Sequence, residues 1–113
     1  MIRRALPIAL ALVLAGCGSR SPEQQAESLH SLAAEGALLA RDAADGRVTE
    51  PFTRVHSAEL AKLATKLHTS SDARIASLAA EVAADLERLG GASHAGQLAI
   101  ARELEAAARA TDG

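Results

Sequence analysis

Apolar residues recur at steps of three and four along most of this chain, and breaks in that rhythm divide it into four helical segments. The first opens at Ser21-Pro22-Glu23-Gln24. Ser21 is placed to cap a helix, Pro22 to take its first position and Gln24 to complete a capping box. The spacing predicts a helix from there to about Ala44, closed by Asp45-Gly46. Leu29, Leu32, Gly36, Leu39 and Ala43 form its narrow buried stripe, and Leu38 points away from it. Gly36 lets a neighbouring backbone come close, at a cost of about 1 kcal/mol relative to alanine.

Thr49 caps the second helix, which carries Glu50 and Pro51 in its first turn and stops near His68. Its stripe reads Phe52, His56, Leu60, Leu63 and Leu67. The third helix starts near Asp72 and ends at Gly90-Gly91, with the cleanest pattern: Ile75, Leu78, Val82, Leu86 and Leu89. Ser93 caps the fourth, which runs to about Ala110 on a weaker stripe of Gln97, Ile100, Ala101, Leu104 and Ala108. Leu98 lies off to one side.

Helices joined by loops of about three to five residues pack as antiparallel neighbours, so the expected fold is all-α, an up-down-up-down four-helix bundle over residues 22–113. The short heptads would also suit an elongated coiled coil or self-association. Composition agrees with helix: alanine and leucine dominate, and β-branched runs are few. Alanine-rich interfaces draw helix axes toward the close end of about 8–10 Å. They bury little area, so stability should be modest.

His56 is the polar residue that the pattern singles out. At 100° per residue it falls near the centre of its helix's stripe and should face inward. In an antiparallel bundle Asp85 and Gln97 stand at its level, with Glu59 at the edge, and the four could form one polar layer. Such a layer fixes register in some bundles and could also hold a small ligand. As a metal site it is poor, because His56-x-x-Glu59 is a single reversed pair where di-iron bundles supply Glu-x-x-His twice and two further Glu. No metal is expected. His30, His68 and His94 read as surface residues, and Leu38 and Leu98 as a candidate partner surface.

Catalytic patterns are absent from the sequence. No serine sits in a Gly-x-Ser-x-Gly context, and Gly90-Gly91 has no P-loop lysine. With no Trp or Tyr, and Phe52 the one Phe, aromatic platforms for sugars are not expected either. No catalytic residue is assigned, and the expected role is not enzymatic.

The segment before the first helix carries a different message. Arg3 and Arg4 precede a run, Ala5 to Ala15, that is apolar apart from Pro7 and too short to span a bilayer, which takes about 20 residues. The single cysteine of the chain, Cys17, follows directly on Leu14-Ala15-Gly16. This segment resembles a bacterial lipoprotein signal with its lipobox. The resemblance implies a signal peptide over residues 1–16, cleavage between Gly16 and Cys17, and diacylglyceryl and N-acyl groups on Cys17 in place of any cofactor. Two or three acyl chains anchor firmly where one alone binds reversibly. Gly18 after the cysteine implies the outer membrane if the host is Gram-negative, and in any case the extracytoplasmic side of the cell envelope.

Residues 17–21 would then be a lipidated cysteine and a short tether, spanning about 10 Å from Gly18 to Arg20. The polar layer would ride about 30 Å above the membrane at 1.5 Å per residue. From Cys17 onward ten basic residues face fourteen acidic ones, a formal charge of −4 with no basic patch, so nucleic acid is not an expected partner. The remainder looks like small helical bacterial lipoproteins in general. The expectation is a lipid-anchored, non-enzymatic interaction or structural module that binds an envelope protein or itself; the alternative is a ligand- or metal-binding bundle built on the His56 layer.

Overall fold

A computed structural model describes residues 21–111, and the expectations at Gly16 and Cys17 lie outside the described residues. The described chain is four helices: α1 (Pro22–Ala44), α2 (Glu50–Leu67), α3 (Ala73–Leu89) and α4 (His94–Ala110).

Local chemistry sets the ends of these helices. The Ser21 hydroxyl accepts from the Gln24 amide while the Gln24 side chain accepts from the Ser21 amide, a complete capping box. Thr49, Asp72 and Ser93 cap the other three through Phe52, Arg74 with Ile75, and Gly96. At the end of α1 the Gly46 amide donates to Ala43 and the Arg47 amide to Asp42, which is a Schellman turn. That turn needs the left-handed backbone that Gly46 supplies at φ 72°.

The helices form an antiparallel bundle in which α1 packs most extensively on α4, and α2 on α3. The cross-section is not square. α1 also touches α3 across the diagonal, whereas α2 and α4 do not meet. Gly36 explains the short diagonal: an ideal Cβ there would lie 2.7 Å from Leu86 Cδ2 of α3 and 3.1 Å from Leu104 Cδ1 of α4. The close approach that glycine allows is therefore to side-chain tips, not to a neighbouring backbone. Leu29, Leu86, Leu89, Leu104 and Val82 fill the centre, and Ala33, Ala40, Ala64, Ala79 and Ala101 are fully enclosed around them.

The inner face of α2 differs from the expected stripe. Thr53, Ser57, Leu60, Ala61, Ala64 and Leu67 are buried, while Phe52 and Leu63 are 50% and 46% exposed. The helix is turned by about 70°, at 100° per residue, from the face that the bulky residues alone define. Small residues win because they let α3 come near; Gly90, which caps the end of α3, sits against Arg54 and the Ser57 hydroxyl. The hydroxyls bury cheaply, since Thr53 donates to the Thr49 carbonyl and Ser57 to that of Arg54.

Candidate functional site

The turn of α2 dissolves the expected polar layer. His56 lies on the α1/α2 seam, where its Nε2 is 3.1 Å from a Glu35 carboxylate oxygen of α1 and its ring stacks on Phe52 at 5.4 Å between centroids. Glu59 is on the outer surface, 3.7 Å from Lys62. Gln97 is half-buried on α4. Asp85 is on the other side of the bundle, in the α3/α4 seam. His56, Glu59, Gln97 and Asp85 therefore do not form one site, and the ligand reading built on them loses its geometry. Among the described residues no cluster of three His, Cys, Asp or Glu is arranged to hold a metal.

Two of the three histidines read as surface residues are exposed, His68 and His94. His30 is not. It is half-buried, with Nδ1 2.7 Å from the Ala108 carbonyl, and closes the end of α4 together with Arg74, which donates to the Ala110 carbonyl. These contacts satisfy carbonyls that a helix terminus leaves without intrahelical partners.

Leu38 is 62% exposed. Leu98 is half-buried and does not share that surface role. Among the described residues the exposed large apolar side chains are instead Leu38, Phe52, Val55 and Leu63, three of them on α2. The Glu35–His56 contact sets the register of α1 against α2, so in an antiparallel pair Leu38 stands about level with Phe52 and Thr53. The α1/α2 pair thus carries all four of the exposed large apolar residues among the described residues.

The charged cluster of the molecule sits in the α3/α4 seam. Asp85 of α3 is buried, 7% exposed, beside a shallow groove of about 470 Å³. Leu78, Ala84, Ala106, Ala107 and Ala110 supply the groove's apolar wall, and Glu81, Arg88 and Glu103 its charges. One Arg88 nitrogen donates to Asp85 at 2.6 Å and to Glu103 of α4 at 3.1 Å. The shared nitrogen draws the two carboxyl groups together across the seam. Burial first, and then the neighbouring Glu103, push the Asp85 carboxyl up to about 7 against the pull of Arg88. The hydrogen bond from Asp85, helped by Arg88, holds Glu103 below the usual carboxylate range. The two carboxyl groups therefore titrate as a pair, with the buried Asp85 side favouring the protonated form.

The sequence pointed to Asp85 and missed its partners. The one-turn spacing Asp85-x-x-Arg88 is the signal that could have found Arg88; that Glu103 completes the group depends on the register between α3 and α4, which no local pattern carries. Comparison of the chain with protein-family models, with curated protein sequences and with solved structures finds no match.

Proposed function

We propose that this chain is a lipid-anchored, non-enzymatic protein of the bacterial cell envelope whose helical bundle engages another envelope protein or a second copy of itself. One observation carries the reading: the sole cysteine stands directly behind Leu14-Ala15-Gly16, after a short basic and then apolar segment. Two features of the bundle support it. The first helical cap, Ser21, comes only four residues after Cys17, so the bundle would ride close to the lipid headgroups. And Leu38, Phe52, Val55 and Leu63 leave large apolar side chains exposed on the neighbouring helices α1 and α2, of the kind that marks contact sites. No helix among the described residues is long and apolar enough to cross a membrane. Attachment in this reading falls to the acyl chains alone.

Intact mass of the protein extracted from its own membrane tests the anchor. The expected species begins at Cys17 and carries the added mass of a diacylglyceryl group and an N-acyl chain, and Cys17→Ser abolishes both cleavage and lipid. A mature chain without acyl groups would overturn the reading. Cross-linking in the intact membrane tests the interaction, with a defined heavier species expected from the wild type and a monomer alone counting against it.

A further inference from the structure

The α3/α4 seam sets three charged side chains in one small space with one proton to divide among them. Of the neighbouring helix pairs, α3 and α4 make the fewest close approaches, and the groove runs along their outer side. Its wall is mostly alanine, which gives little apolar area to hold the two helices together there. What ties them on that side is polar: Arg88 reaches from α3 to Glu103 of α4, and the same nitrogen holds the buried Asp85 carboxyl.

The charge balance of this tie depends on the proton. With it in place, Arg88 faces one carboxylate and one neutral carboxyl, and the cluster is neutral. Without it, two carboxylates share a single guanidinium, and one of them is buried. Like charges gathered on one guanidinium nitrogen disfavour double ionisation, and burial adds to that cost. The surroundings do not relieve it. Along α3 the charged groups on this face are Glu81, another acid, and Arg88, already engaged. On α4 the next acid, Glu105, is turned to Arg41 of α1. α2 packs on the other flank of α3, where Arg54 meets Gly90.

We propose that the α3/α4 seam is a proton-operated latch, closed while Asp85 donates its proton to Glu103 under Arg88 and loosened when that proton leaves. The direction follows from linkage. A carboxyl whose folded-state value is raised contributes stability that is fully present at low pH and is lost as pH rises through that value, here about 7. The depressed Glu103 contributes in the opposite sense, but it does so at acid pH, below the range in which the latch opens.

The test is a carboxyl carbon-13 NMR titration of the full chain in detergent micelles, together with amide hydrogen exchange corrected for intrinsic rates at pH 5.5 and 8.5. Asp85 should titrate near neutrality. Protection of α3 and α4 amides along the seam should fall at least about tenfold between the two pH values, with α2 little changed. Asp85→Asn keeps a neutral hydrogen-bonding group at every pH and should remove the fall, and Glu103→Gln should reduce it. An Asp85 that titrates in the ordinary carboxylate range, or an Asp85→Asn protein that keeps the wild-type fall, would overturn the latch. Neither readout depends on the lipid or on any partner.

Discussion

Replacing Gly36 by alanine sets two effects of similar size against each other. Alanine in a helix interior is favoured over glycine by about 1 kcal/mol, and on an open surface the change would stabilise α1 by that amount. Here the new Cβ would stand 2.7 Å from Leu86 Cδ2 and 3.1 Å from Leu104 Cδ1, where carbon atoms settle at about 3.5–4.0 Å. Both leucines are fully buried, with no solvent side to retreat to. Overfilling a core of this kind costs about 1–3 kcal/mol, so the net expectation is a loss of about 1 kcal/mol. For a domain of this size that corresponds to a fall of about 4–8 °C in Tm. Urea unfolding followed by far-ultraviolet circular dichroism reads it, as the chain has no Trp or Tyr to report by fluorescence.

A second background sharpens the test. Leu86→Val shortens the obstructing side chain at a cost of about 1.5 kcal/mol. In that protein Gly36→Ala should no longer destabilise and should recover much of the propensity gain, giving a coupling energy of about 1–2 kcal/mol in the double-mutant cycle. Gly36→Ala that stabilises the wild type by the full propensity difference, with no coupling to Leu86, would refute the close α1–α3 approach.

Two further changes separate surface from structure. Phe52→Ser should alter unfolding free energy by less than about 1 kcal/mol, because the ring is already half in water, yet it should weaken the cross-linked species in membranes; the two assays on one protein check it. Thr49→Ala removes the oxygen that accepts from the Phe52 amide and should cost about 1 kcal/mol in urea unfolding, with no effect on lipidation.

Helix ends were legible in the sequence because capping is local: Ser21 with Gln24, Thr49, Asp72 and Ser93 act within three residues of where they stand. The stripes of α1, α3 and α4 were legible in the main, since Leu29, Leu39, Ile75, Val82, Leu86, Leu89, Ile100 and Leu104 are both large and buried. α2 was not. Its large apolar residues and its inward residues are different sets, and periodicity weighted by bulk picks Phe52 and Leu63 over Thr53 and Ser57. What decides the face is how near α3 can come, a property of two helices together. The same limit applies to the charged seam. Asp85 could be placed at the edge of the α3 stripe, but its meeting with Glu103 depends on how far α4 slides along α3.

The most extensive helix pair, α1 with α4, joins the two stretches of the bundle that are furthest apart in sequence. α2 and α3 form a neighbouring hairpin that can close as soon as both exist, whereas α1 must wait for the last helix before its main contact is made. Closing that long loop adds entropy cost before any contact repays it, so the α2–α3 pair should fold first and the α1–α4 seam last. Until then Leu29, Leu39 and the alanines between them have little to cover them. For a chain made from its amino end, the first of the four described helices to emerge is thus the one that finishes folding last.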